Sequence, residues 1–101
     1  MLVIHATFPI DPDSRDEALE LVQDLAEHSR KEDGIVDYRV TTDVENSNVF
    51  RFFERYEDEA AFGVHAETDH FAAFEAVLPE LLSGEPEVTR FDIESASPVE
   101  L

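Results

Sequence analysis

The chain has 101 residues, 43% of them hydrophobic, with 25 acidic side chains against seven basic ones and a formal charge of -18. That length fits one domain, since domains typically run to about 100–150 residues, and the apolar complement is ample for one core. A polyanion of this density makes nucleic acid and anionic lipid poor partners. The absence of cysteine excludes disulfides, thiolate nucleophiles and Cys-based metal sites.

The acids are dispersed along the whole chain, and Lys31 is the single lysine beside six arginines. Combined with a full apolar complement, this differs from the composition of a disordered tail and indicates a protein of a salt-loving cytoplasm, where concentrated salt screens the surface repulsion. The start, "MLVIHATFPID", has no basic region and too short an apolar run for a signal peptide or membrane span, so the cytoplasm is the expected location.

Residues 2–8 alternate in period two, Leu2, Ile4, Ala6 and Phe8 against Val3, His5 and Thr7, and predict a first strand. Ser14 with Glu17 three residues later forms a capping-box pattern, and Ala18, Leu21, Val22, Leu25 and Ser29 follow at helical spacing. A helix over about residues 15–32 is expected, with Gly34 as a left-handed C-cap. "IVDYRVTTD" and "NVFRFFERY" are β-branched and aromatic, and the connector "VENS" is of hairpin length, so they should pair antiparallel. In the second of them Phe50 and Phe52 oppose Val49 and Phe53, leaving neither face wholly polar. One helical layer covers one face of such a sheet. The other face then needs a partner, which predicts a homodimer with two sheets packed together.

Asp58 is placed to cap a short helix holding Ala60, Ala61, Phe62 and His65, and Thr68 or Asp69 to start another through Phe71, Phe74 and Leu81, kinked or shortened by Pro79. "EVTRFDIESA" restores alternation, with Thr89, Phe91 and Ile93 on one side, and "SPVEL" reads as a loose tail. The order β-α-β-β-α-β is that of a ferredoxin-like α+β sandwich with an antiparallel sheet.

The stretch "FGVHAETDHFAAF" holds two of the four histidines. His65 and His70 are five apart, roughly 140° around an ideal helix, so "HAETDH" is not a zinc-binding HExxH and no metal site is expected. His65 follows Phe62 at helical spacing, and Phe71 and Phe74 return on the next helix, giving an apolar surface with an imidazole at its edge. Imidazoles titrate near neutrality, so His65 reads either as a base in a pocket or as a packing residue satisfied by a backbone carbonyl. His70 reads as a surface or capping residue, and His28 has no assigned role. His5 faces either the same cavity as His65 or a dimer interface. Tyr38, Arg39 and Arg51 lie on the hairpin strands, where an inward arginine would hold an anionic oxygen and an outward one would pair with cross-strand carboxylates. No Gly-rich phosphate loop, Ser-His-Asp order or nucleophile elbow is present, which argues against nucleotide cofactors.

Together "EDGIVDYRV", "NVFRFFERYEDEAAFGVHAETDHFAAF" and "PEVTRFDI", spanning about residues 2–94, resemble the antibiotic biosynthesis monooxygenase family and its small quinol monooxygenase-like members. The resemblance implies a dimeric α+β barrel of two ferredoxin-like subunits. It also implies oxidation of small aromatic phenols or quinols by molecular oxygen without metal, flavin or haem, an electron-rich phenolate being itself able to reduce oxygen. Carried onto this chain, it makes His65 the base or anchor for a substrate hydroxyl, with Phe62, Phe71 and Phe74 lining the pocket. Tyr38, Arg51 and His5 are further candidate substrate contacts from their strand positions alone. Glu75 stands where haem-degrading relatives carry the haem-ligating histidine, which disfavours haem. A second reading is a non-catalytic dimeric barrel that binds a small apolar ligand as a stress-related or sensing module.

From the charge of -18 and the single lysine, the unfolding midpoint is expected to rise steeply from dilute to molar potassium chloride. A flat response in thermal melts across that range would remove the halophilic reading.

Overall fold

Alternation along the strands decides which side chains face the helices. The computed structural model describes residues 1–101, in the order β1 (Leu2–Pro9), α1 (Arg15–Ser29), β2 (Ile35–Thr42), β3 (Val49–Tyr56), α2 (Glu59–Ala66), α3 (Asp69–Leu81) and β4 (Glu87–Asp92). The four strands form one antiparallel sheet in the order β2-β3-β1-β4, the ferredoxin-like arrangement expected from the sequence.

On β1 the buried residues are Leu2, Ile4, Ala6 and Phe8; on β3 they are Phe50, Phe52, Glu54 and Tyr56. Ala6, Phe8, Phe50 and Phe52 pack beneath Val22 and Leu25 of α1 and Phe74 and Leu81 of α3, while Leu2, Ile4 and Tyr56 form a smaller cluster against Ile35, Ala61 and Phe62. Burying each of the large apolar side chains stabilises the fold by about 1.5–3 kcal/mol. Phe8, Phe52 and Phe74 meet with ring centroids 5.0–5.9 Å apart. The opposite face carries His5, Arg51, Phe53, Thr89 and Phe91, with Phe53 paired to His5 and His5 to Thr89. All six residues of β4 are exposed, so the helical layer leaves that edge uncovered.

Several details of α1 differ from expectation. Ser14 makes no side-chain capping bond, because a 3-10 turn over Pro12–Ser14 leads straight into the helix and Asp11 caps that turn instead, accepting from the Asp13 N–H. The helix ends at Ser29 rather than near residue 32, since Lys31 and Glu32 N–H groups bond three residues back, to His28 and Ser29. These tight bonds turn Glu32 off the helix axis. Gly34 is not a left-handed cap, because no glycine has positive φ. Its role is closeness: a Cβ there would collide with Ala61 Cβ and come within 3.3 Å of Ala61 Cα.

Asp58 caps α2 by accepting from Ala61 N–H at 2.8 Å, and Thr68 caps α3 by accepting from Phe71 N–H at 3.2 Å. Pro79 lies within α3, where it removes one donor from the final turn, and the helix ends two residues later.

Gly34→Ala should lower stability by about 1–3 kcal/mol through overpacking, read as a lower urea midpoint. Adding Ala61→Gly should restore part of the loss; no change in Gly34→Ala alone would contradict the close approach of the β2 entry to α2.

Candidate functional site

Between the inner face of the sheet and helices α2 and α3 lies a cavity of about 300 Å³. Its floor includes Ile4, Phe8, Tyr38, Phe52 and Glu54, and its roof Phe62, His65, Phe71, Phe74 and Leu78. Pro86 and Val88 stand at the uncovered β4 side, where Val88 is 62% exposed, so the cavity opens there. The far end, under Tyr38, is closed, with Tyr38 only 1% exposed. The polar groups gather toward that closed end, since Tyr38 pairs across the strands with Glu54.

His65 sits in the last turn of α2 and is 1% exposed. Its Nδ1 lies 2.8 Å from Glu32 Oε2, and the same oxygen lies 2.7 Å from His70 Nε2. A carboxylate only accepts, so both imidazole nitrogens are donors in this arrangement. In the neutral ring the lone pair then falls on Nε2, which is buried and has no hydrogen-bond partner. The ring is held by Tyr38, Tyr56 and Phe71, with centroids 5.4, 5.6 and 5.2 Å away. The ring as a whole lines the cavity, and a buried nitrogen left without a partner is a candidate acceptor for an O–H donor.

Glu54 is the second titratable group on the cavity wall, 7% exposed. Burial pushes its carboxyl up to about 7, although the bond from the Tyr56 hydroxyl, 2.5 Å from Oε1, opposes this by favouring the charged form. Burial and then the neighbouring Glu54 charge raise both the Tyr38 and Tyr56 phenols, which therefore stay protonated and act as donors, not bases.

Comparison with known proteins places this arrangement. The sequence profile described as "Antibiotic biosynthesis monooxygenase" matches residues 1–77. The chain belongs to the antibiotic biosynthesis monooxygenase family. It is 39% identical over 93 residues to the Bacillus subtilis (strain 168) protein named "Putative monooxygenase YcnE", covering 92% of this chain and 98% of that one. A crystal structure of an antibiotic biosynthesis monooxygenase superposes with a TM-score of 0.88 at 27% identity, covering 94% of this chain and all of the other. The structure of Rv0793 from Mycobacterium tuberculosis gives 0.88 at 27% identity, covering 95% and 98%.

In this member of the family, His65, Phe62, Phe71, Phe74 and Tyr38 converge on the one cavity. His5 and Arg51 do not. Both occupy positions of opposite parity to the inward residues, so they project from the other face of the sheet, where Arg51 bonds Asp43 Oδ1 and Thr7 Oγ1, each at 3.0 Å. The Arg51 guanidinium holds the Asp43 carboxyl below the usual range. His70 is not a free surface residue either, being tied to Glu32 and stacked on the exposed His28 at 5.7 Å.

Sequence reasoning missed Glu32, Glu54 and Tyr56. Glu54 and Tyr56 had a signal, because they continue the inward series Phe50, Phe52 on a predicted strand, where an acid is out of place. Glu32 had none, lying in the acidic run "KEDG". The spacing argument against a shared His65–His70 site assumed one continuous helix. The chain turns at Glu67 and Thr68 between α2 and α3, and the ligand-type atoms of Glu32, His65 and His70 come within 4.8 Å of one another. Two imidazoles and a carboxylate suit a transition-metal ion. Here one Glu32 oxygen already accepts from both ring N–H groups, so the cluster is hydrogen-bonded without an ion.

Proposed function

We propose that this protein oxidises a small, neutral phenol or quinol with molecular oxygen and without a bound cofactor, His65 serving as the base. The observation that carries this reading is the unpaired, buried Nε2 of His65, whose ring lines the cavity, with Nδ1 held by Glu32. A substrate hydroxyl on that nitrogen gives up its proton, and the phenolate left behind is electron-rich enough to reduce oxygen directly. For a quinol, two electrons and two protons pass to dioxygen, giving the quinone and hydrogen peroxide. For a ring methylene activated by a neighbouring hydroxyl, one oxygen atom enters as a carbonyl and the other leaves as water.

The lining supports a neutral substrate. No lysine or arginine borders the cavity, and two carboxyl groups lie at or behind its closed end, so an anion would enter against charge with nothing to pair it. Family membership supports the oxygenase class. The fold places Phe53 and Phe91, 40% and 49% exposed, on the uncovered outer face of the sheet, which supports a homodimer through that face. No helix is long and apolar enough to cross a membrane, and the cytoplasm remains our proposed location.

The test is oxygen uptake by chelator-treated protein in concentrated salt with menadiol and an anthrone, corrected for spontaneous autoxidation. Wild type should exceed background, and His65→Ala should lose roughly 10²–10⁴-fold, the usual contribution of a positioned base, while retaining ligand. Restoring divalent metal should change nothing. A wild-type rate equal to background, or a metal requirement, would refute the proposal.

A further inference from the structure

His65 accounts for one proton acceptor in the cavity and leaves Glu54 without a purpose. A carboxyl buried at 7% exposure is costly, and no cation compensates it. Facing it are Tyr38 from β2, Tyr56 from its own strand and the His65 ring from α2, with Glu32 behind that ring. Arg90 of β4 lies in the same cross-strand row, but Ile4 intervenes and the guanidinium is committed to Asp92 and Glu59. A structural role is poorly served by an acid here, because a glutamine or an apolar residue would fill the position without the burial cost. The Tyr56 hydroxyl occupies Oε1. The carboxyl borders the same empty space as His65.

We propose that Glu54 is the second ligand-recognition group of this cavity, a neutral carboxylic acid that donates its proton in a hydrogen bond to an acceptor oxygen on the ligand. The inference deepens the reading of His65 as base and rests on it. The site then takes an aromatic with two oxygens, a hydroxyl that donates to His65 Nε2 and a second, quinol or carbonyl oxygen that accepts from Glu54. A monophenol satisfies only one of the two groups. As a quinol becomes a quinone its oxygens turn into acceptors only, so Glu54 in its acid form continues to hold the product-side oxygen while His65 no longer has a donor to accept from.

The sign of the pH dependence follows from the raised carboxyl. Burial lifts Glu54 to about 7, so below that pH it offers a proton and above it presents lone pairs to a carbonyl that has only lone pairs. Quinone affinity should therefore fall as pH rises through 7. If the acid form alone binds, the drop between pH 6 and pH 8.5 is roughly 30-fold.

The experiment is binding of menadione to the whole chain in high salt, by equilibrium dialysis from pH 5.5 to 8.5; the chain has no cysteine for this quinone to alkylate. Wild type should show the drop. Glu54→Gln, whose amide remains a donor, should bind with little pH dependence through that range, and His65→Gln should keep the drop. Tyr56→Phe removes the hydrogen bond that favours the ionised carboxyl and should move the midpoint to higher pH. A pH-independent wild type, or a drop that survives in Glu54→Gln, would overturn the proposal. Should Glu54→Gln fail to fold, an unmoved midpoint in Tyr56→Phe overturns it instead. Because no turnover is measured, failure here is separate from failure of the oxidase reading, which oxygen uptake decides.

Discussion

A single carboxylate oxygen, Glu32 Oε2, holds two imidazoles that arrive from different helices. Such charge-assisted bonds contribute about 1.5–3 kcal/mol each, and here they also decide geometry. They join the turn after α1 to the last turn of α2 and the first turn of α3, and they leave the other nitrogen of His65, a ring that lines the cavity, without a partner. The local folding that permits this is modest. Helix α1 ends early in i→i−3 bonds that swing Glu32 inward, and Thr68 interrupts what would otherwise be one helix, its hydroxyl donating to the His65 carbonyl at 2.8 Å while capping α3. Gly34 lets the chain leaving Glu32 pass directly against Ala61 of α2.

The interior and the surface follow opposite electrostatic rules. Outside, a charge of -18 is spread over a chain with one lysine, and Arg39, Arg51 and Arg90 are spent on the exposed or half-exposed carboxylates of Asp37, Asp43 and Asp92. Inside, there is no fixed cation to tune the site. The burial of Glu54, the two protonated phenols and the Glu32–His65 contact do the tuning, each through desolvation or a hydrogen bond. Such a cavity distinguishes ligands by where they carry O–H and C=O groups. Charge contributes only by exclusion.

Period two on β1 and β3 made the sheet legible, and helical spacing with Asp58 and Thr68 as caps made α2 and α3 legible, so the ferredoxin-like order and the aromatic lining followed from the chain itself. The same alternation, carried through, also assigns His5 and Arg51 to the outer face and Glu54 to the inner one. Glu54 was overlooked, and His5 and Arg51 were left open between the two faces, because chemical type was weighed ahead of parity. The link from Glu32 to His65 spans 33 positions and depends on where α1 stops, which no local pattern encodes. The meeting of His65 and His70 was hidden for a related reason: spacing predicts a shared face only within an unbroken helix, and this one is broken between them.

The account rests on His65 carrying its proton on Nδ1, toward Glu32, with Nε2 bare and unpartnered. Long-range proton–nitrogen correlation spectra of nitrogen-15-labelled protein above the histidine titration report the tautomer of each ring directly. The account predicts a protonated-type Nδ1 and an unprotonated-type Nε2 for His65 in wild type, with the preference weakened in Glu32→Gln. A His65 ring protonated on Nε2, or one whose tautomer ignores the Glu32 substitution, would contradict it.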